Sequence, residues 1–218
     1  MMRRLILMIL ALTLNVILTP VFCPASVNSE LNHAITSNDI QKVNELVSKG
    51  ADVNVVEGLD SWSPLFRAVF KGDPEIVKIL VDNGANVNIA DSHKSTPLLQ
   101  AVNKGYTEIV KILVDKGADM NVKDAQSWTP LMRAAAFGYT EIVKILVDKG
   151  ADINYKDIHK VTPLWRAAEF GHTETVKFLI DKGADVNVTD TYGCSALSAS
   201  KSKGHIDTVQ LLIDSGAK

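Results

Sequence analysis

Apolar positions along this chain follow a helical spacing that returns every 33 residues. The pattern is clearest in residues 96–119, where Gly105 separates two apolar stripes. The first stripe consists of Leu98, Ala101 and Val102, and the second of Ile109, Val110, Leu113 and Val114. Spacings of three and four place such residues on one face of an amphipathic helix. Each period therefore predicts two short helices, each burying one face.

Prolines and glycines mark the ends of these helices at constant spacing. Ser/Thr-Pro-Leu tripeptides place prolines at Pro64, Pro97, Pro130 and Pro163, and Gly-Ala-Asp/Asn tripeptides place glycines at Gly84, Gly117, Gly150 and Gly183. A hydroxyl followed by proline is typical of a helix start, because the hydroxyl caps the helix and proline lacks an N–H that would be unpaired there. Glycine ends a helix in a left-handed conformation. A fixed period of this length indicates stacked supersecondary units.

The two ends of the array depart from this pattern. Residues 31–50 contain two helical pieces without the proline start, and Ser195-Ala196-Leu197-Ser198 replaces that start in the last unit. Both terminal units carry a polar first helix, as an array needs at its ends. We predict four full internal repeats between an N-terminal and a C-terminal capping repeat. Their approximate limits are 30–57, 58–90, 91–123, 124–156, 157–189 and 190–218.

The repeated pattern, D-x-x-x-x-T-P-L-x-x-A-A/V-x-x-G-x-x-E-I-V-K-x-L-V/I-D-x-G-A-D-V-N, resembles the ankyrin repeat over about residues 30–218. The resemblance implies an all-α repeat solenoid with β-turn fingers, in a curved stack of about six repeats. Fingers and first helices would line the concave side. The histidine usual after Thr-Pro-Leu is replaced here by Phe66, Leu99, Met132 and Trp165, and the usual finger glycine by Ser61, Lys94, Ser127 and Lys160. We therefore expect stiffer finger turns than usual.

The N-terminus has the three parts of a secretory signal peptide. A basic start at Arg3 and Arg4 precedes the apolar run 5–18, and small residues lie before a predicted cut ahead of Ser26. We assign 1–25 as a signal peptide and 26–29 as a short lead-in, with a periplasmic or extracellular destination. An uncleaved membrane anchor is the alternative, although the run is short for a spanning helix of ~20 residues. Lipid attachment at Cys23 is a further alternative.

Composition and motifs narrow the function classes. The formal charge of −2 becomes −4 without the two arginines of 1–25, which gives no reason to expect nucleic acid as the partner. Gly-x-Ser-x-Gly, His-Glu-x-x-His and phosphate-binding glycine loops are absent, so we expect neither an enzyme nor a cofactor. His93 and His159 lie two repeats apart, roughly 20 Å, too far to share a metal ion. Cys194 is the one cysteine after residue 25, either a turn residue or a partner in an intermolecular disulfide.

The positions that vary between repeats predict where a partner protein or peptide binds. The second helix is nearly constant, since 105–119 and 138–152 share the same fifteen letters. The finger and one face of the first helix vary, and they carry the arginine and aromatic residues that dominate interface energetics. By the ankyrin resemblance this face lines the concave groove. The predicted partner-binding residues are Trp62, Arg67, Phe70, His93, Gln126, Trp128, Arg133, Phe137, His159, Arg166, Phe170 and Tyr192.

An intramolecular role for these residues is the alternative, with arginines stacked on an aromatic ring of the neighbouring repeat. If the arginines are free, a basic and aromatic groove favours a peptide that bears carboxylates and apolar groups. We predict a monomer that binds its partner without covalent chemistry, and a membrane association only if 1–25 is retained. Finger sequences alternate with a 66-residue period, Ser-Trp at 61 and 127 and His-Lys at 93 and 159, which indicates duplication of a two-repeat block.

Overall fold

The computed structural model describes residues 24–57 and 61–218. Within them it shows twelve helices and isolated β-bridges but no strand. The helices are α1 Pro24–Thr36, α2 Ile40–Ser48, α3 Pro64–Lys71, α4 Pro74–Asp82, α5 Pro97–Lys104, α6 Thr107–Asp115, α7 Pro130–Ala136, α8 Thr140–Asp148, α9 Pro163–Glu169, α10 Thr173–Asp181, α11 Ala196–Lys203 and α12 Ile206–Asp214. They form six consecutive pairs in one contiguous stack. The predicted all-α repeat solenoid is confirmed.

Local sequence sets the start of each first helix. The four prolines Pro64, Pro97, Pro130 and Pro163 each occupy the first position of α3, α5, α7 and α9. The hydroxyl before each proline accepts a hydrogen bond from the backbone N–H three residues later, which is the N-cap geometry that the sequence predicted. Ser195 caps α11 in the same way although no proline follows it. The cap therefore persists where the proline is lost.

The core is a continuous apolar seam between neighbouring pairs. First helices pack on first helices and second helices on second helices along the stack. Leu98 and Ala101 in α5 are fully buried, as are Val110 and Leu113 in α6, so both predicted stripes face the core. The positions where family members usually carry histidine contribute apolar bulk instead, since Phe66, Leu99 and Met132 are buried. Burial of this kind stabilises a stack by about 25 cal/mol per Å² of apolar surface.

The N-terminal capping pair differs from the prediction in one respect. Residues 26–29, predicted as a lead-in, lie inside α1, because Val27 begins an apolar stripe that continues one and two turns later at Leu31 and Ile35. The proposed cut before Ser26 falls two residues into this helix. The signal and anchor assignments for 1–23, and the assigned start of the second repeat at 58–60, lie outside the described residues.

Polar residues of both caps also serve the fold. Asn32 of α1 is buried, and its Nδ2 donates to Glu57 Oε2 at 2.8 Å. Ser200 of α11 is buried, and its hydroxyl donates to the carbonyl oxygen of Ala168 at 3.0 Å. These two side chains satisfy neighbouring repeats and do not contribute to the polar outer face that the sequence suggested.

The outer face of the second helices carries a ladder of exposed ion pairs between repeats. Each joins an aspartate at the end of one second helix to a lysine 34 residues later, at 2.6–2.8 Å, and the three pairs are Asp82–Lys116, Asp115–Lys149 and Asp148–Lys182. Hydrogen bonds from Lys116 and Lys78 hold the pKa of Asp82 below its usual value, and Lys149 does the same for the pKa of Asp115. In the N-terminal cap, Lys49 and Lys42 lower the pKa of Glu45.

Asparagines tie the connecting segments of consecutive repeats. Asn88 Nδ2 donates to the carbonyl oxygen of Gly117 at 3.3 Å, and its Oδ1 accepts from the Asp119 backbone N–H at 2.8 Å. The same acceptor bond recurs from Asn154 Oδ1 to the Asp185 N–H at 2.9 Å. Each such residue satisfies backbone groups that helix ends leave unpaired.

Candidate partner-binding surface

A buried aspartate organises each finger turn. Asp91 Oδ1 accepts the backbone N–H groups of His93 and Ser95 at 2.9 and 2.8 Å. The same pair of bonds recurs at Asp124, Asp157 and Asp190. The residue two before the first N-cap of each turn has a positive φ, near 60° at Lys94, Ser127 and Lys160 and 80° at Gly193. Three of these turns therefore hold a side chain in a conformation that favours glycine.

Trp128 lies against two arginines, one from its own repeat and one from the next. The guanidinium carbon of Arg133 is 4.9 Å from the Trp128 ring centroid, and that of Arg166 is 4.2 Å from it. Arg133 Nε donates to Asp124 Oδ2 at 2.5 Å, and its Nη2 donates to Gln126 Oε1 at 2.7 Å. The finger aspartate thus fixes both its own turn and the arginine that covers the tryptophan.

Arg166 is held more tightly still. Its guanidinium pairs with Asp157 at 3.3 Å and with Glu169 at 3.0 Å, and it also lies 5.2 Å from the Trp165 ring centroid. Its side chain is 14% exposed, and that of Asp157 is 0% exposed. The structure therefore shows the intramolecular arrangement for these arginines, which joins the fourth and fifth repeats. Because internal acids already neutralise them, Arg133 and Arg166 do not offer free positive charge to a carboxylate-bearing partner.

The corresponding cluster in the second repeat has a different composition. The Trp62 ring centroid lies 5.2 Å from that of Phe66 and 4.9 Å from that of Phe70. Arg67 lies 5.7 Å from the Trp62 ring, and its Nη2 donates to the Glu57 carbonyl oxygen at 3.2 Å. Aromatic side chains replace the acids that surround Arg133 and Arg166.

The remaining predicted residues are exposed and are not brought together. Phe137 and Phe170 follow α7 and α9 at equivalent positions, 44% and 49% exposed, and Tyr192 at a finger tip is 85% exposed. Their exposed rings make these three the side chains most available to a partner. His93, Gln126 and His159 are exposed finger residues, each in a different finger. Their role in binding stays a prediction.

Sequence reasoning did not anticipate two contacts near this surface. Trp165 Nε1 donates to the Cys194 carbonyl oxygen at 3.1 Å, so this half-buried ring links the fifth and sixth repeats. The other contact is a ring laid over the glycine that ends the preceding repeat's first helix, in the pairs Tyr106–Gly72, Tyr139–Gly105, His172–Gly138 and His205–Gly171. The signal for it is the aromatic or histidine residue that follows a glycine in four successive units, as in Gly138-Tyr139.

Two searches of residues 24–57 and 61–218 returned nothing. In that part of the chain no group of three or more His, Cys, Asp or Glu side chains is placed to bind a metal ion. No helix there is both long enough and apolar enough to cross a membrane. Cys194 is a free, exposed thiol.

Comparison with known families accounts for the stack. The family model for ankyrin repeats (3 copies) matches residues 31–124, 96–157 and 156–218. The chain belongs to the ankyrin repeat family. Ankyrin repeats are generally protein-interaction modules, and their fold is typically non-catalytic. Extended surfaces of this kind are what repeat proteins use for binding.

Individual relatives share only short ankyrin segments with this chain. A 2-5A-dependent ribonuclease from Mus musculus is 39% identical over 59 residues, which are 27% of this chain and 8% of the relative. A mitochondrial disaggregase from Bos taurus is 35% identical over 72 residues, 33% of this chain and 10% of the relative. A glycerophosphocholine phosphodiesterase from Schizosaccharomyces pombe is 41% identical over 68 residues, 31% of this chain and 6% of the relative. The chain thus spans a tenth or less of these relatives.

Proposed function

We propose that this ankyrin protein is an exported, non-catalytic binding module that holds a partner protein against its fingers and first helices. We call this surface, formed by the fingers and by the solvent-facing sides of α3, α5, α7, α9 and α11, the groove face. One observation supports the proposal most directly: Phe137 and Phe170 expose almost half of their surface at equivalent places in adjacent repeats. Exposed aromatic rings of this kind are enriched where proteins bind one another.

The surroundings of the two rings suit a partly apolar partner. Within their own repeats, Phe137 lies 5.6 Å from the Tyr139 ring and Phe170 lies 6.4 Å from the His172 ring. Tyr139 and His172 are in turn fixed over glycines of the preceding repeats. The exposed rings therefore stand on rigid supports, which lowers the entropy lost when a partner covers them.

Capture of the partner tests this function. The full chain, immobilised and exposed to an extract of its native compartment, should retain a partner that the Phe137→Ser/Phe170→Ser double variant loses. The matched control is Ile206→Ser/Ile213→Ser on α12, where two equally exposed apolar residues lie outside the groove face. Equal capture by the wild type and the phenylalanine variant, or equal loss in both variants, would contradict binding through these rings.

Export is the second part of the proposal. The basic start, the apolar run 5–18 and the small residues before Ser26 support cleavage by a signal peptidase. The cut would leave Val27 and Leu31, the first buried residues of α1, in the mature protein. Mass measurement of the protein recovered from the exported fraction should show a chain that begins at Ser26. An intact mass in the membrane fraction would instead support the anchored ankyrin scaffold.

A further inference from the structure

The Ser-Trp finger occurs twice, and the two copies differ in what the following repeat supplies. Trp62 and Trp128 are 66 residues apart, and so are Asp91 and Asp157 in the next finger. At the third equivalent position the later copy has Arg166 and the earlier copy has Gln100. The second and third repeats thus keep the tryptophan and the aspartate but lack the arginine that joins them in the fourth and fifth.

The later copy shows what such a site holds. Arg166 places its guanidinium 4.2 Å from the Trp128 ring centroid and 3.3 Å from Asp157 Oδ2. A guanidinium is planar and weakly hydrated, so it can stack on an indole while it donates hydrogen bonds to a carboxylate. The tryptophan and the aspartate come from successive repeats, and the arginine completes the contact between them.

In the earlier copy the aspartate has the same turn but lacks the cation. Asp91 Oδ1 accepts two backbone N–H groups, as Asp157 Oδ1 does. Its Oδ2 accepts no hydrogen bond from the described residues, and the nearest basic nitrogen among them is His93 Nδ1 at 3.8 Å. The Asp91 side chain is nevertheless only 7% exposed. A carboxylate withdrawn from water to this extent needs a partner for its charge.

The tryptophan of the earlier copy is also less completely covered by cations. Among the described residues, Arg67 at 5.7 Å is the one arginine over the Trp62 ring, whereas Trp128 has two arginines at 4.9 and 4.2 Å. Glu169, which pairs with Arg166, corresponds to Asn103, so the acid that would balance an internal arginine is missing too. The third repeat is neutral at both places where the fifth repeat carries an ion pair.

We propose that Trp62 and Asp91 form a binding site for an arginine side chain of the partner, in the place where Arg166 lies in the later copy. The partner's guanidinium stacks on the Trp62 ring and donates to Asp91 Oδ2, and Gln100 and Asn103 leave room and neutral hydrogen-bonding groups beside it. This proposal rests on the proposed function for the carrier of the arginine, but the site itself can be tested without that carrier.

The test is a titration followed by NMR of the full chain, with N-acetyl-arginine amide as the probe. We expect saturable shifts of the Trp62 indole N–H and of the His93 and Ser95 amides, with a dissociation constant on the order of 10 mM. N-acetyl-citrulline amide has nearly the same shape without the charge and should bind about tenfold more weakly or worse. The lysine analogue should also bind more weakly, because it lacks the planar fork.

Two variants locate the site. Gln100→Arg supplies the missing arginine from within the chain and should abolish the shifts at Trp62. Arg166→Gln creates the same vacancy in the later copy and should add a second set of saturable shifts, at the Trp128 indole N–H and the His159 amide. No response of the wild type, equal binding of the arginine and citrulline probes, equal binding of the lysine probe, or an unchanged response in Gln100→Arg would each overturn the proposal.

The result is separable from the fate of the proposed function. If the phenylalanine variant loses its partner but arginine does not bind the free protein, the groove face stands and the arginine site falls. If arginine binds as expected and no partner is captured through Phe137 and Phe170, the site stands and the proposed function falls.

Discussion

On the outer face of the stack, each aspartate–lysine pair of the ladder is exposed and the same pair recurs three times. On the groove face, the contact made by Arg166 with Trp128 and Asp157 occurs once and is largely buried. Both kinds of contact join consecutive repeats through opposite charges. The difference teaches that repetition marks the contacts that water screens, whereas the contacts withdrawn from water are specific to one junction.

The largest effect should follow from removal of the buried cation. Arg166→Gln leaves the Asp157 carboxylate unpaired in a site that water does not reach, so we expect the free energy of unfolding to fall by about 2–4 kcal/mol. Urea unfolding monitored by circular dichroism measures it. Arg133→Gln is the matched control with a more exposed pair, and it should cost less. Addition of Asp157→Asn to Arg166→Gln should recover part of the loss. An equal cost for the two arginines would remove the distinction between the junctions.

Sequence reasoning predicted the helices and their ends because these depend on neighbours within one repeat. The prolines of α3 and α5, the hydroxyl caps and the buried leucines all follow from local chemistry. The setting of Arg166 does not, because its partners Trp128 and Asp157 lie 38 and 9 residues before it and become adjacent only when repeats stack. A usable signal was nevertheless present: in the fourth and fifth repeats an aspartate precedes the arginine by nine residues, as Asp124 precedes Arg133.

The inner end of α1 shows the other limit of prediction. Residues 26–29 contain two serine or asparagine residues, which suggested an irregular lead-in, but Val27 reaches the core and extends the helix. A single apolar residue at the correct helical spacing outweighed the polar composition around it. The candidate arginine site was hidden for a related reason, since it is defined by a residue that the third repeat lacks.

An intermediate effect is expected in the finger turns, which belong to neither face's network of charges. Lys160 has a φ of 60° at the position where the last finger has Gly193. Lys160→Gly should raise the free energy of unfolding by about 1 kcal/mol, because glycine adopts a left-handed conformation without steric cost. The reverse change, Gly193→Lys, should lower it by a similar amount. Thermal unfolding of both variants checks this pair, and shifts of the same sign would show that the turns are not strained.

The smallest effect should come from the outer ladder, and it should depend on pH. Lys116 and Lys78 hold the pKa of Asp82 below its ordinary value of 3.8, so folding favours the charged carboxylate. The stabilisation is therefore complete above about pH 4 to 5 and disappears as the pH falls through the lowered pKa of the folded state. Lys116→Ala should narrow the difference between urea midpoints measured at pH 5 and pH 2.5, and 1 M salt should remove its effect at pH 5. A larger loss than that of Arg166→Gln would invert the comparison.

The ladder and the asparagine bonds have a consequence for how such a gene can change length. Because the same couplings recur at fixed offsets, excision of residues 91–156 would place Lys182 opposite Asp82, where Lys116 now lies. Asn88 would meet Gly183 and Asp185 in place of Gly117 and Asp119. Unequal recombination over a two-repeat block would thus yield a shorter chain whose outer joints still fit. The same event would bring Arg166 opposite Trp62, and the shortened protein would close, with its own side chain, the site proposed here for a partner's arginine.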